Sequence, residues 1–457
     1  MRCRMKQVVA ISGVLIFAIV ATGFCQDTLW TRAYGGTGND FCYSVCQTPD
    51  GGFVMGGMTS SFGAGLYDLY LMKTDENGDS VWSTIYGDPG QSEAVSCMQM
   101  TNDHGFVLVG TAEASTLDND MYMVKFDSVG DYEWSSYFGD EDLEEIASWV
   151  EQTNDGGFIL TGSYWAPVTG YDFCLQKTNE LGLGSWVEPF AWWNADYANC
   201  IKQTSDHGYI ITGETSSNPD YEYDLFLLKT NSMGFTEWEQ RYGGSEADGG
   251  DCVQQTSDGG YIVAGYTETY GAGGRDLWVI KTDDDGDTVW TRTFGSDYHD
   301  AACSVIEVSE GGYLVVGSCS ILESFDAYFV RLDANGDTLW TRIYGGDVSD
   351  NARDVKQITD GGYIVAGTTT SYGSGGTDIY LLRFAPDQAG VEDLITVQMP
   401  GDVALYQNYP NPFNPTTTIT YALSAPGMAA IDIFKRENAN MSNCIIRRSE
   451  TDIERLN

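Results

Sequence analysis

The chain has 457 residues, with 23 basic against 66 acidic side chains and a formal net charge of −43. A surface of that sign repels nucleic acid and anionic lipid, which makes both poor partners. Aromatic residues make up 13% of the chain and charged residues only 19%, so it can build a core and is not a disordered polyacid.

The first segment reads as a secretory signal. Arg2, Arg4 and Lys6 form a basic start. An apolar run from Val8 to Ala21 follows, interrupted by Ser12 and Gly13, and cleavage near Gly23 or Cys25 leaves a mature start near Gln26. Phe24, a bulky residue, argues against lipidation of Cys25. The run is short for a transmembrane helix, and no other stretch qualifies. Residues 1–25 are therefore expected to be a signal peptide, and the mature protein to be secreted or held at the outer cell surface.

From residue 26 to 386 the sequence repeats. Trp30, Trp82, Trp134, Trp186, Trp238, Trp290 and Trp340 stand 52 residues apart five times, then 50. A period near 50 marks a repeat architecture. Within one unit, runs of β-branched and aromatic residues predict four short strands. Asp258-Gly259 predicts one hairpin turn and Asp283 to Asp287 a second. Such strands without helical periodicity predict an all-β fold, a seven-bladed β-propeller of four-stranded antiparallel blades. Residues 27–34 match only the fourth strand of the unit and residues 350–384 only the first three. The N-terminal strand is thus expected to close the last blade and leave no open edge.

Three position sets recur in all seven units. An acid precedes the first strand: Asp40, Glu93, Glu145, Asp196, Asp248, Asp300 and Asp350. An aspartate opens the third strand, from Asp68 to Asp378, with Lys or Arg five residues later. A glycine lies inside the second strand, from Gly57 to Gly367, where the close neighbour is expected to be an aromatic ring of the adjacent blade. The repeated acids are expected to accept hydrogen bonds from loop amides. The alternative is that the seven acids before the first strand ring a channel mouth and hold a cation such as calcium. No other cofactor is expected.

Cys303 and Cys319 flank a predicted hairpin and are placed to bridge across it. Cys97, Cys200 and Cys252 share one repeat position and read as small buried residues. No C-x-x-C pair points to zinc or thiol redox chemistry. His104 and His207 replace the middle glycine of the D-G-G turn, and His299 stands beside Asp300 in a loop, so no nucleophile–base constellation emerges. Among so many acids, two that lie close together do not define a glycosidase pair. Asp283, Asp284, Asp285 and Asp287 lack the later glutamate of an EF-hand and read as a hairpin.

The repeat degrades between residues 149 and 200. Trp149 replaces a small residue, Trp165, Trp192 and Trp193 fall in predicted loops, and the Y-G-G run is lost around Phe190. Exposed aromatics on a propeller face can stack on sugar rings, which makes Trp165, Trp192 and Trp193 the candidate ligand-binding residues.

The units Trp340-Thr341-Arg342-Ile343-Tyr344-Gly345-Gly346 and Gln357-Ile358-Thr359-Asp360-Gly361-Gly362-Tyr363 resemble the repeats of secreted bacterial β-propeller proteins. That resemblance covers about residues 27 to 386 and implies an extracytoplasmic propeller without implying a reaction. After a linker, residues 387–403, the run Tyr409-Pro410-Asn411-Pro412-Phe413-Asn414-Pro415 resembles the opening of a type IX secretion C-terminal sorting domain, a small β-sandwich. Thr416 to Leu423 and Ala429 to Phe434 fit its strands. The polar residues 435–457 do not, so residues 404–457 read as an incomplete sandwich. The implied partner of a working tail is the type IX export machinery. The functional expectation is a non-catalytic recognition module for polysaccharide or protein. Its alternatives are a polysaccharide-active hydrolase or lyase using loop carboxylates, and a purely structural surface protein.

Overall fold

The computed structural model describes residues 17–19, 28–64, 66–115, 118–139, 144–192, 195–216, 222–321, 324–387, 403–405, 417–419, 421–423, 429–433 and 444–448. It shows the seven-bladed propeller. Blades 1 to 6 open with the inner strands Asp40–Gln47, Glu93–Met100, Glu145–Gln152, Asp196–Gln203, Asp248–Gln255 and Asp300–Glu307. Each continues outward through three further antiparallel strands in chain order. Blade 7 runs Asp350–Gln357, Tyr363–Thr369 and Asp378–Phe384, and its outer strand is Thr28–Tyr34 from the N-terminal end. The first inner strand packs beside the last, so the inner strands form a closed ring around a channel.

The chain divides into two compact units, one of residues 28–337 and 343–387, the other of residues 1–27, 338–342 and 388–457. In the second unit Phe17–Ile19 pairs with Thr417–Ile419, Val403–Leu405 with Tyr421–Leu423, and Ala429–Ile433 with Cys444–Arg448.

The recurring tryptophan joins one blade to the next. Trp30 meets Phe53 at 5.9 Å between ring centroids, Trp134 meets Phe158 at 5.8 Å, and Trp238 meets Tyr261 at 5.7 Å. In each pair the partner opens the second strand of the following blade, directly after the D-G-G turn. The far edge of the indole lies against the glycine of the following blade's outer turn. A Cβ on Gly130 would sit 2.7 Å from Trp82, and one on Gly286 2.8 Å from Trp238. Both glycines also have positive φ, so the turn and the close approach require glycine together.

A second latch uses the glutamine of the Q-T-x-D-G-G motif. Its side-chain oxygen accepts the backbone amide of the preceding blade's turn: Asn102 to Gln152, Asn154 to Gln203 and Ser205 to Gln255, each at 2.8 Å. The ring closes through the same bond, from Thr359 to Gln47 at 2.9 Å. Between blades 1 and 2 both halves are replaced. Pro49 has no amide to give, and Met100 stands where the acceptor would be.

The second-strand glycines have a different neighbour from the one expected. A Cβ on Gly57, Gly213 or Gly367 would fall 1.8–1.9 Å from the carbonyl oxygen of Phe41, Tyr197 or Asn351. The close partner is the backbone of the same blade's inner strand, not an aromatic ring. That strand carries a β-bulge in all seven blades, with the pairing slipping between Cys42 and Ser44 in blade 1 and between Ala352 and Asp354 in blade 7. Glycine opposite the bulge admits the displaced carbonyl.

Cys303 and Cys319 are free thiols, not a bridge. Cys303 is the bulge residue of its strand, whereas Cys319 pairs with Asp300 further along the hairpin. His104 and His207 occupy their D-G-G turns at φ of 66° and 69°, a region costly for any residue with a Cβ.

Two outcomes follow. Trp30→Ala removes the wedge at the ring closure and is expected to cost about 3 kcal/mol, read as a loss of urea midpoint beside an unchanged surface control. His104→Gly relieves the turn and is expected to add about 1 kcal/mol, and an unchanged or lower melting temperature would contradict the strain at that position.

Candidate functional site

Each blade sends two kinds of connection to opposite faces. The D-G-G turn and the outer hairpin lie on one, here the turn face. The loop after the outer strand and the hairpin between second and third strands lie on the other, the loop face. Trp165 and Trp192 both belong to the loop face, in the hairpin of blade 3 and in the loop leading to blade 4.

The structure separates these two residues. Trp165 is 43% exposed. Trp192 is half-buried, edge-on to Phe173 and Phe226 at 5.2 Å each, with the Arg241 guanidinium 5.2 Å over its ring. Trp193 lies outside the described residues. Trp149 sits in the inner strand of blade 3 and packs against the cores on either side of that blade.

Trp165 is the end of a longer arc. It pairs directly with Tyr171 across its hairpin, which puts the two side chains on one side of the sheet. Tyr171 lies 5.4 Å from Tyr197, and Tyr197 lies 6.2 Å from Tyr223. Glu214 pairs with Tyr197 and accepts a 2.5 Å hydrogen bond from the Tyr266 hydroxyl. The Arg275 guanidinium covers the Tyr266 ring at 4.0 Å and donates to Glu268 at 2.8 Å. The arc thus runs over blades 3, 4 and 5 at the loop-face mouth of the channel. Tyr171, Tyr197, Tyr223, Glu214, Tyr266 and Arg275 were not singled out from sequence. Their signal is positional: Tyr197 follows the first acid of its unit and Tyr171 and Tyr223 precede the third-strand aspartate, sites that blade 2 fills with Ala94 and Asn119.

The seven acids, which the structure places as the first residues of the inner strands, are buried, none more than 6% exposed. Asp40 accepts the Gly36 amide at 2.8 Å and the Ser61 hydroxyl at 2.6 Å. Asp248 accepts Gly244 at 3.0 Å and Thr269 at 2.7 Å, and Asp350 accepts Gly346 at 2.6 Å and Ser371 at 2.7 Å. Asp300 accepts the Ser296 amide at 2.7 Å and that of Ser320 at 3.1 Å. Glu93 accepts the Asp88 amide at 3.0 Å, and Asp196 accepts the Thr215 hydroxyl at 2.5 Å. Glu145 is buried in the equivalent place. Among the described residues, no group of three or more His, Cys, Asp or Glu side chains is placed to hold a metal. In the outer hairpin Asp283 accepts the amides of Asp285 at 3.2 Å and Asp287 at 2.8 Å, so that acidic run is a turn.

The third-strand aspartate of one blade meets the first acid of the next. A Cβ on Gly295 would fall 2.1 Å from Asp276 Oδ1 and 2.7 Å from Asp300 Oδ2, so both oxygens converge on one point. Burial, then the facing carboxylate, raises Asp276 to about 6, and burial followed by Asp350 does the same to Asp326.

Three comparisons frame this geometry. The family described as "domain of unknown function (DUF5122) beta-propeller" matches residues 359–387. No curated protein matches. Among solved structures, a protein of unknown function from Dyadobacter fermentans is 10% identical, covering 82% of this chain and 100% of that one, with a TM-score of 0.44. Sqt1 from Chaetomium thermophilum is 10% identical over 88% and 99% of the two chains, at 0.44. An α-L-arabinofuranosidase from Fusarium graminearum is 10% identical over 81% and 97%, at 0.38. Likeness of this depth says nothing about reaction or partner.

The paired acids set a pH dependence. Asp276 and Asp326 bind a proton more tightly folded than unfolded, so the stability they add is complete below about pH 4 and lost as the pH rises through about 6. Asp50 acts in the opposite sense. The Thr48 hydroxyl above all, then Lys73 and the Gly52 amide against the effect of burial, hold it at about 2, so its contribution is lost as the pH falls from about 4 toward 2. The melting temperature is expected to peak near about pH 4–5. A curve that climbs steadily from pH 5 to 8 would contradict the carboxylate pairs.

Proposed function

We propose that this protein is a secreted or surface-held, non-catalytic recognition propeller that binds polysaccharide across the loop-face mouth of its channel. The observation that supports it is the arc from Trp165 through Tyr171, Tyr197 and Tyr223 to Glu214. Flat rings on three blades offer stacking surfaces for the apolar faces of sugars, and Glu214 offers an acceptor for their hydroxyls. Trp192 belongs instead to the packing between blades 3 and 4, against Phe173 and Phe226. The signal-like N-terminus and the Y-P-N-P-F-N-P run support export, with the type IX machinery as the partner of the tail. Calcium remains a candidate ion and belongs in the binding buffer.

One observation favours a second reading, a polysaccharide-active hydrolase or lyase. Asp251, half-buried in the channel wall, is raised to about 7 by burial and then by Glu214, which is where a proton donor serves best at neutral pH. Turnover abolished by Asp251→Asn would favour it.

The recognition reading is tested on a glycan panel with the full chain and calcium present. Specific binding weakened about tenfold by Trp165→Ala or Tyr197→Ala is the expected result. Binding indifferent to both variants, or a blank panel, would shift the reading to a protein partner or a structural role.

A further inference from the structure

Beneath the mouth, the channel wall departs from its repeat. The seven bulge residues are Tyr43, Ser96, Ser148, Asn199, Asp251, Cys303 and Arg353, all partly accessible although the strands that carry them ring the channel. On blades 2, 3 and 4 they are small and neutral. On blades 5, 6, 7 and 1 they form a continuous arc: Asp251, Cys303, Arg353 and Tyr43. Arg353 Nη1 lies 3.9 Å from Cys303 Sγ.

Arg353 is exposed to the channel and, among the described residues, has no carboxylate within ion-pairing distance. The other two cations of the inner strands are paired, Lys202 with Glu151 at 3.1 Å and Lys356 with Asp354 at 2.6 Å. In a chain with 66 acids and 23 bases, an unpaired guanidinium is not explained by a shortage of carboxylates.

The arc is reachable from the loop face. Two residues before each bulge residue, on the same side of the strand, stand Gly249, Ala301 and Asn351, where blades 1 and 4 carry Phe41 and Tyr197. The smaller side chains of Ala301 and Asn351 therefore leave a slot above Cys303 and Arg353. Beside it, Tyr266 and Glu214 fill the space over Gly249, where a Cβ would fall 2.5 Å from the Tyr266 ring and 2.9 Å from Glu214 Oε2. Toward the turn face, Trp149 also packs against the core of blades 4 to 6, and the Lys202 ammonium lies 5.0 Å over its ring.

We propose that Arg353 and its arc form a subsite for the carboxylate of a uronic-acid residue whose neighbours lie on the aromatic mouth. This rests on the saccharide reading of that mouth. A guanidinium presents a planar fork that matches a carboxylate in two parallel bonds. Burial above all, then Glu214, keeps a proton on Asp251 up to about 7, so it offers a hydroxyl instead of a repelling charge. Ser96, Ser148 and Asn199 across the channel supply partners for ring hydroxyls. A peptide carboxylate would engage Arg353 equally, but its side chains would meet a polar wall.

The test compares galacturonic-acid oligomers with their methyl esters, which keep the ring and hydroxyls but remove the charge, by calorimetry on the full chain. The wild type is expected to prefer the acid by about tenfold or more, Arg353→Gln to lose that preference while keeping ester binding, and Arg353→Lys to keep part of it. Asn351→Phe closes the slot without removing a charge and is expected to abolish the preference too, which covers a misfolded Arg353→Gln. The preference should shrink from pH 6 to 8 as Asp251, faced by Glu214, Arg353, Cys252 and Arg275, ionises. Equal binding of acid and ester, or a preference untouched by Arg353→Gln, overturns the subsite and leaves the mouth reading standing. Failure of both ligands together with a blank glycan panel overturns both. A peptide whose free C-terminal carboxylate binds through Arg353 where the oligomers do not overturns the uronate assignment.

Discussion

A four-stranded blade is too small to bury both its faces, so everything else in this fold depends on the contact that brings up the next blade. That contact is the outer-strand tryptophan set between the ring that opens the neighbour's second strand and the glycine of the neighbour's outer turn. It explains why the tryptophan, the turn glycine and the aromatic after D-G-G recur together although they are far apart in sequence. Each belongs to a different blade from its partner. Because Trp30 comes from the N-terminal strand and meets Phe53 of blade 1, the wedge that joins ordinary neighbours also closes the ring.

The bulge gives the repeat a second layer of meaning. Its glycine partner is constant because a backbone carbonyl occupies the space a Cβ would need. The bulge residue itself is turned toward the channel and out of the packed layers between blades, so packing places little demand on its identity. A repeated scaffold thus holds seven positions in register around one axis and leaves their chemistry free. Tyr43, Asp251, Cys303 and Arg353 use that freedom. Asp354, next to Arg353, does not face the same choice, because it accepts the Val45 amide of the next blade at 3.0 Å and belongs to the wall.

Period and alternation made the blades, their number and the closing strand legible in the sequence. The position sets were legible as sets, but their partners were not. The second-strand glycine was read against an adjacent ring because sequence shows that space is needed and not what fills it. The glutamine of Q-T-x-D-G-G looks like filler until the amide that it accepts is seen on the preceding blade's turn, and the paired loss at Pro49 and Met100 becomes meaningful only then. At the mouth, Trp165 stood out because tryptophan is rare at its position. Tyr171, Tyr197 and Tyr223 were hidden because the chain has 28 tyrosines, and only the closed ring brings these three to one edge. Trp192 carried the same compositional signal as Trp165 and proved to be half-buried, since a loop residue next to Phe173 finds apolar surface within reach.

Charge follows the same division between wall and opening. The third-strand bases are nearly all spent inside the blades. Lys73, Lys177, Lys229 and Lys281 are buried, with ammonium groups 2.9–3.0 Å from the turn acids Asp50, Asp155, Asp206 and Asp258, whose own side chains remain largely in water. Each such lysine also donates to a backbone carbonyl, so its desolvation is offset by two partners and not by Coulomb attraction alone. Blade 6 has Glu310 in place of the turn aspartate, and there Arg331 turns to Asp387 at 2.6 Å, just beyond the last strand. The exception is repaired by finding another carboxylate. Among the described residues, Arg353 has no such repair. In a channel walled by protein, that leaves a cation whose field is met by neither a partner nor free solvent on every side, the condition under which an incoming anionic group gains most.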